Sequence, residues 1–260
     1  MAAGDEAGAP APVRVSARHF GGDLQLARQA GLDGVEVGVG PAAERLTVAD
    51  GTFRERIRQE VQATGLVVSS LSMDLLNARP VATDPMGPAW LQQAIEAAGD
   101  LGAEAILVPF FGPAELLDGP ALRKGVVDAL VARMRAAAPR AAEAGVVLAL
   151  ENTCSAEQNL EILDRIGHDA VACYYDIGNS TGAGYDVPAE IRLLGSHLPI
   201  IHFKDGEHYL GQGGVRMEPV AEALRAIGYA GWVVLETACP SDDAVADCRR
   251  NTEFVRGLMA

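Results

Sequence analysis

The amino-acid sequence predicts an α/β protein in which a chain of 260 residues folds as a single (β/α)8 barrel. Short apolar segments alternate with helical patterns eight times, which is typical of parallel strands joined by helices. The length also suits such a barrel, which has about 250 residues. A doubly wound open sheet is the less favoured alternative. It should carry a GxGxxG turn after its first strand, and the sequence has ARHFGG there.

The first half of the chain contains four predicted strand–helix units. The predicted strands cover residues 13–17, 31–38, 66–73 and 105–109, and the second of them ends near Glu36. The predicted helices cover residues 22–31, 53–63, 90–101 and 122–144. A loop at 78–88 contains prolines and precedes the third helix. Pro139 should interrupt or kink the fourth helix, because proline has no amide hydrogen for the helical ladder.

Each of the four strands predicted in the second half carries a reactive side chain at or near its end. The segments VVLALEN, AVACYYD, PIIHFKD and WVVLE carry, in this order, Glu151, Asp176, His202 and Glu236. Predicted helices at 156–166, 187–194, 217–227 and 243–258 separate and follow these strands. One acid at a strand end is commonly a helix N-cap or a solvated turn. Four reactive ends in succession indicate a shared site, because the C-terminal ends of barrel strands form the catalytic face.

Composition limits the class of partner. Lys and Arg number 21 against 35 Asp and Glu, which gives a formal charge of −14 and a pI near 4.7. This charge opposes binding to nucleic acid or to an anionic membrane. Hydrophobic residues make up 49% of the chain but aromatic residues only 5%, so the core should consist of aliphatic side chains. The four cysteines form no CxxC pair, which argues against a structural zinc or a redox dithiol.

The domain prediction is a disordered tail at residues 1–12 followed by one catalytic barrel at 13–260. The tail is rich in Ala, Gly and Pro and has neither the cationic start nor the apolar core of a signal peptide. No run of eighteen apolar residues occurs, so no membrane span is expected. We therefore expect a cytoplasmic protein with reduced thiols and no membrane partner. A homo-oligomer is compatible with the sequence.

The four reactive strand ends predict a metal site. Three carboxylates and one imidazole suit Mn²⁺, with Mg²⁺ or Co²⁺ as alternatives, more than they suit Zn²⁺. The separations along the chain are 25, 26 and 34 residues, each about one strand–helix unit, so successive strands should deliver the ligands. A hydrogen-bonded histidine near the barrel mouth is the alternative for His202 considered alone.

A divalent ion at this site would support proton transfer at a carbon beside a carbonyl group. It can hold the carbonyl and adjacent hydroxyl oxygens of a substrate and stabilise an enediolate after proton loss from carbon. Glu151 and Glu236 can move the proton from opposite sides, which fits epimerisation. We expect a small polyhydroxylated ketone or aldehyde without phosphate, because no glycine-rich phosphate loop with a basic cluster follows the last two strands.

An ordered set of motifs resembles the xylose isomerase-like TIM barrel family over nearly the whole chain. The motifs are GLDGVEVG, LALEN, YYDIGN, HFKD with the later LGQGG, and GYAGWVVLE. The family includes ketose 3-epimerases, hydroxypyruvate isomerases and inosose-processing enzymes. The resemblance implies a metal-dependent sugar isomerase or epimerase in which Glu151, Asp176, His202 and Glu236 bind the metal. It also implies that Glu151 and Glu236 act as the acid/base pair.

Three substrate-binding predictions come from the same resemblance. Glu157 lies six residues after the first ligand, where the ketose 3-epimerases have a substrate-side glutamate. Asn179 stands where those epimerases have a histidine, and His208 stands where they have an arginine. The metal site therefore corresponds to the family pattern more closely than the substrate pocket does.

Further candidates for the substrate pocket follow other strand ends. Lys204 and Asp205 complete the HxKD pattern of the wider family and contact the substrate or form a solvated loop pair. Phe110 follows the fourth strand and is expected to wall the pocket, the alternative being a cap on the barrel. Glu36 at the second strand end and His19 after the first strand are weaker candidates.

Two other activities and one non-catalytic function are alternatives to an epimerase. A dehydratase or lyase acting on an inosose or keto-sugar derivative would use the same enediolate to expel a β-hydroxyl, and the motifs do not separate it from an epimerase. The family also contains endonuclease IV, a phosphodiesterase with three metals. Five histidines and a charge of −14 oppose that activity. A non-catalytic metal-binding barrel is opposed by Glu151 and Glu236, since a structural site needs no pair of bases.

Overall fold

The computed structural model describes residues 12–260 and contains a closed barrel of eight parallel strands. The strands β1 to β8 are Arg14–Ala17, Gly34–Gly38, Val67–Ser72, Ala105–Pro109, Val147–Glu151, Val171–Asp176, Ile200–Phe203 and Trp232–Leu235. Each strand pairs with the next along the chain and β8 pairs with β1, so the sheet closes on itself. The predicted single (β/α)8 barrel is confirmed. The predicted tail lies outside the described residues, except for Pro12.

Ten α-helices in the described part of the chain surround this sheet. The helices α1 to α10 are Leu24–Gln29, Gly51–Thr64, Leu75–Ala78, Gly87–Leu101, Lys124–Glu143, Ala156–Ile166, Ile177–Gly182, Val187–Leu194, Met217–Ala226 and Ala244–Met259. Of the predicted interruption or kink at Pro139, the interruption is wrong, because α5 runs through this residue to Glu143, and the kink stays a prediction. The buried face of α5 packs into the core on both sides of Pro139, which offsets the one hydrogen bond that proline cannot make.

Besides 3-10 helices at Thr47–Ala49, Gly112–Ala114 and Gly195–His197, three elements were not predicted. The short helices α3 and α7 lie directly after β3 and β6, and a two-stranded hairpin pairs Leu117–Asp118 with Ala121–Leu122. Two of the three lie within a few residues of barrel strands at their C-terminal ends. We call the end of the barrel at the C-terminal ends of its strands the upper end. Except for Gly195–His197, which precedes β7, the missed segments follow strands at that end.

The opposite, lower end of the barrel is closed by three side chains at or just before the starts of three strands. Arg14 at the start of β1 donates to Glu104, which directly precedes β4. Trp232 at the start of β8 donates its indole N–H to Glu104 at 3.0 Å, and the Arg14 guanidinium lies 4.5 Å from the Trp232 ring. Above this closure the interior is filled mainly by aliphatic residues and Tyr174. The barrel interior is therefore closed at its lower end.

No helix in residues 12–260 has both the length and the apolar character needed to cross a bilayer.

Candidate metal centre

Four side chains converge at the upper end of the barrel. Glu151 and Asp176 are the last residues of β5 and β6, His202 lies within β7, and Glu236 directly follows β8. The sheet register places Asp176 beside His202. One possible ligand atom from each residue lies within 4.8 Å of all the others. The structure thus brings together the four residues predicted as metal ligands, and we call them the four-residue cluster.

The imidazole of His202 is fully buried and has carboxylates on both sides. Its Nδ1 lies 3.0 Å from Glu151 Oε1, 3.5 Å from Glu236 Oε2 and 3.7 Å from Asp176 Oδ2. Its Nε2 lies 3.7 Å from Glu36 Oε1. Burial lowers the pKa of His202, but Glu151 and Glu36 outweigh burial and raise the pKa well above its usual value. Without a metal ion the ring is therefore held as a cation.

Glu151 and Asp176 are the buried carboxylates of the cluster. Burial raises the pKa of both, and Glu236 raises it further, although His202 acts in the opposite direction. Asp176 Oδ1 accepts from the amide of Asn179 at 2.7 Å and so begins α7. Asp176 Oδ2 is buried and has no hydrogen-bond partner among the described residues. This oxygen faces the cluster, and the Lys204 ammonium lies 3.2 Å from it.

Two cations hold Glu236, the most exposed of the four. Lys204 Nζ lies 2.8 Å from Glu236 Oε2 and 3.2 Å from Asp176 Oδ2. Arg18 donates to Glu236 Oε1. Burial raises the pKa of Glu236, but His202, Lys204 and Arg18 outweigh burial and lower the pKa to about 2. Glu236 is therefore ionised at neutral pH.

Arg18 and Asp74 are site residues that the sequence patterns did not indicate. Arg18 directly follows β1, and its Nη2 donates to both oxygens of Asp74 at 2.8 and 2.7 Å. Asp74 lies two residues after β3 and also accepts from Ser72 at 2.7 Å. The available signal was their position at strand ends, the same signal that identified the four-residue cluster.

Glu36 lies inside the barrel, below His202, rather than in an open pocket. Its side chain has no exposed surface. Its Oε2 accepts from Ser70 Oγ and from Tyr174 O–H, each at 2.8 Å. The Tyr174 ring packs against the His202 ring with 4.4 Å between centroids. Burial raises the pKa of Glu36, but His202 and Arg18 outweigh burial and lower it, so the carboxylate is ionised.

Asp205 organises the loop that contains LGQGG. Its carboxylate is buried and accepts from the amides of Gly211, Gly213 and Val215 at 3.0, 2.8 and 2.9 Å. His208 is exposed in the same loop. In the structure the Asp205 carboxylate is therefore directed into its own loop, whereas Lys204 is directed into the four-residue cluster.

The remaining candidates lie outside the four-residue cluster. Glu157 is exposed in the first turn of α6 and accepts from Ser155 at 3.1 Å. Asn179 is partly exposed in α7. Phe110 is buried in the main core, and His19 contacts the carbonyl of Thr237. Their predicted contacts with a substrate stay predictions.

A cavity of about 500 Å³ opens at the upper end beside Asp74, where β2 and β3 end. It is lined by Gly38, Gly40, Pro41, Ala42, Ser72, Asp74, Leu75, Ala78 and Arg79. Its volume is in the range of small-molecule sites. Cavities of similar volume also lie outside the barrel between α4 and α5 and beside the start of β6. Size alone therefore does not identify a substrate site, but this cavity is linked to Glu236 through Asp74 and Arg18.

Comparison with known proteins gives consistent matches over almost the whole chain. Residues 24–258 match the family model described as xylose isomerase-like TIM barrel. The L-ribulose-5-phosphate 3-epimerase UlaE of Escherichia coli is 25% identical over 258 residues, which covers 91% of this chain and 89% of the relative.

Solved structures share the fold at lower sequence identity. A D-psicose 3-epimerase crystallised with D-fructose aligns with a TM-score of 0.79 at 15% identity, covering 95% of this chain and 99% of that one. An L-ribulose 3-epimerase gives 0.77 at 21%, with coverage of 95% and 94%. A 3-keto-D-glucoside 4-epimerase from E. coli gives 0.75 at 17%, with coverage of 95% and 99%. At these identities the likeness shows a common fold.

Proposed function

Because the chain belongs to the xylose isomerase-like TIM barrel family, we propose that it is a divalent-metal-dependent epimerase or isomerase of a small sugar or keto-sugar. The observation that carries this proposal is the convergence of three carboxylates and one imidazole at the upper end of the barrel. Two of those carboxylates, Glu151 and Glu236, have pKa values shifted in opposite directions. The sequence and structural relatives named above, which are sugar epimerases, support the same reaction class.

The residues present fit a divalent cation. Their donor set is three carboxylates and one ring nitrogen, which favours Mn²⁺, with Mg²⁺ or Co²⁺ as alternatives. Asp176 Oδ2 is buried and accepts no hydrogen bond in residues 12–260, although the Lys204 ammonium lies 3.2 Å away, so the oxygen keeps lone pairs for a cation. We propose Glu151, Asp176, His202 and Glu236 as the ligands. A bound ion would supply Lewis-acid polarisation of the substrate carbonyl, which acidifies the neighbouring C–H bond.

The protein's own side chains move the proton. Glu151 and Glu236, at the ends of β5 and β8, form the acid/base pair: one takes the proton from the carbon beside the carbonyl. The other returns a proton to the opposite face of that carbon, which gives the epimer. Environments that separate the pKa values of two neighbouring carboxylates are typical of such acid/base pairs. Lys204 and Arg18 each hold one oxygen of Glu236 and so fix its orientation.

The proposed substrate is a polyhydroxylated ketone or aldehyde without phosphate. The cavity lined by Asp74 is connected to Glu236 only through Arg18, and that arginine is paired with the Asp74 carboxylate rather than free to bind a phosphate. Arg79 is the cation of that cavity, and it is already paired with Asp84. The phosphorylated ketose named for the E. coli relative provides the contrasting substrate class.

The test is turnover in D₂O with added Mn²⁺, followed by mass spectrometry and NMR of the product. The panel contains free ketoses, the same ketoses as phosphate esters, inososes and 3-keto-glycosides. We expect conversion of an unphosphorylated member, with one deuterium on carbon in the product. Conversion with full retention of hydrogen would contradict proton transfer. A strong preference for phosphate esters would contradict the proposed substrate class, and an unsaturated or deoxy-dicarbonyl product would make the protein a lyase.

A further inference from the structure

The two ring nitrogens of His202 face different groups. Nδ1 faces the four-residue cluster, with Glu151 Oε1 at 3.0 Å and Glu236 Oε2 at 3.5 Å. Nε2 points down into the barrel toward Glu36 Oε1 at 3.7 Å. A metal ion binds only a ring nitrogen that carries no hydrogen, so the ring hydrogen must then be on the other nitrogen. A metal in the cluster therefore requires a hydrogen on Nε2 and an acceptor below it.

Glu36 Oε1 and His202 Nε2 are both buried, and within the described residues neither has a hydrogen-bond partner. Unpaired buried polar atoms are rare and costly, and here two of them face each other. Their separation of 3.7 Å exceeds a hydrogen bond by roughly 1 Å. The two atoms are therefore neighbours that form no hydrogen bond with each other.

Three residues on or directly after other strands position Glu36 for this contact. Ser70 on β3 and Tyr174 on β6 both donate to Oε2, which leaves Oε1 directed at His202. Arg18, after β1, places its Nε 3.7 Å from the same Oε1. The Glu36 side chain has no exposed surface, so a substrate at the upper end does not reach it.

We propose that Glu36 is a positioning residue that holds the His202 ring with Nδ1 toward the metal-binding point. This inference rests on the metal site of the proposed function and adds a residue that does not itself contact the metal or the substrate. Carboxylates that orient ligating histidines in this way typically change metal affinity by about 10–100-fold when they are replaced.

The first test measures Mn²⁺ affinity of the Glu36→Gln variant by electron paramagnetic resonance or calorimetry. Gln keeps the size of the side chain but removes the anionic acceptor, so the Kd should rise about 10–100-fold. Glu190→Gln is the matched control. Glu190 is also a buried carboxylate that accepts from a tyrosine, Tyr175 at 2.7 Å, but it lies on α8 outside the barrel. Its variant should bind Mn²⁺ like the wild type.

The second test needs no variant. NMR of the Mg²⁺-loaded wild-type protein, labelled with ¹⁵N-histidine, should show His202 with hydrogen on Nε2 and none on Nδ1. Hydrogen on Nδ1 would overturn the inference even if Glu36→Gln failed to fold. Mn²⁺ affinity of a folded Glu36→Gln within about twofold of wild type would also overturn it, and the proposed function would stand. A wild-type protein that binds no divalent ion would overturn both.

Discussion

At the scale of single residues, the same cluster places Glu151 and Glu236 in opposite environments. Burial raises the pKa of Glu151, whereas His202, Lys204 and Arg18 bring the pKa of Glu236 to about 2 despite its burial. Replacing either glutamate by Gln keeps one oxygen for a metal but removes the group that moves the proton. We expect kcat to fall by about 10²–10⁴-fold, and Mn²⁺ affinity to fall much less.

The measurement combines turnover and Mn²⁺ titration on the same preparations. Glu161→Gln, an exposed glutamate on α6, is the control and should retain wild-type kcat. Equal losses of activity and of Mn²⁺ affinity in Glu151→Gln and Glu236→Gln would mean that the glutamates act only as ligands.

Lys204 provides a second prediction at this scale. Its ammonium contacts Glu236 and Asp176 in a half-buried position. Lys204→Met removes this cation and leaves two carboxylates less compensated, so metal-free protein should lose about 1–3 kcal/mol of unfolding free energy, the partial exposure reducing the effect. Lys124→Met is the control, because Lys124 pairs with Asp128 on the surface of α5 and should cost about 0–0.5 kcal/mol.

Urea denaturation in the presence of a chelator measures both lysine variants. Similar losses for Lys204→Met and Lys124→Met would show that Lys204 contributes no more than a surface ion pair.

The residue scale also shows why sequence patterns found some site residues and missed others. Glu151 and Asp176 close long apolar segments, so the pattern of the strand itself identifies them. Arg18 and Asp74 follow strands too, but their role depends on pairing across 56 and 218 positions of the chain, to each other and to Glu236. No local sequence pattern indicates ion pairs between residues so far apart in the chain. Glu36 was identified as a candidate, but its place beneath His202 required the structure.

At the scale of secondary-structure elements, the loop after β7 is held by one carboxylate. Asp205 accepts three backbone amides there. A Cβ added at Gly213 would lie 2.4 Å from Asp205 Oδ1, whereas one added at Gly214 meets nothing within 4 Å. Gly213→Ala should therefore destabilise the protein by about 1–3 kcal/mol, while Gly214→Ala should stay within about 0.5 kcal/mol of wild type.

Thermal unfolding measures this pair of variants, and hydrogen exchange localises the effect. Faster exchange at the amides of Gly211 and Val215 should accompany the Gly213→Ala change and be absent from Gly214→Ala. Equal stability of the two variants would mean that the loop adjusts around Asp205 without cost.

Helices with strong local signals were predicted closely. The α6 helix begins with a capping box formed by Ser155 and Gln158, and its observed bounds match the prediction. The α7 helix was missed because IGNSTG contains residues of low helix propensity. Gly178 in that helix is required by packing, since an added Cβ would lie 2.3 Å from the Lys204 side chain. Packing against Lys204, rather than helix propensity, therefore determines the conformation of α7.

At the scale of the whole molecule, the eightfold alternation predicted the barrel, and the family match over residues 24–258 confirmed the resemblance drawn from the motifs. Once the barrel was predicted, the meeting of four strand ends followed from its geometry. The distances between atoms of the four-residue cluster could not be predicted, because they depend on side-chain packing and not on the spacing of residues in the sequence.

Metal binding should stabilise the entire barrel, because the proposed ligands come from four different strands. Mn²⁺ at about 100 times its Kd adds about 2.7 kcal/mol, which for a chain of this size corresponds to a rise in Tm of about 5–10 °C. A chelator should reverse the rise. Differential scanning calorimetry measures it, with Asp176→Ala as the control that should show little change. An equal rise in Asp176→Ala would remove Asp176 from the metal site.

The closure of the lower end by Arg14, Glu104 and Trp232 has a practical consequence. All proposed chemistry is at the upper end, so the lower rim is free for covalent attachment to a solid support. Asp169, exposed between α6 and β6 at that rim, is a suitable anchor position. Molecules immobilised at that position would all present their upper ends to the solution. In a flow reactor the substrate would therefore still reach the four-residue cluster.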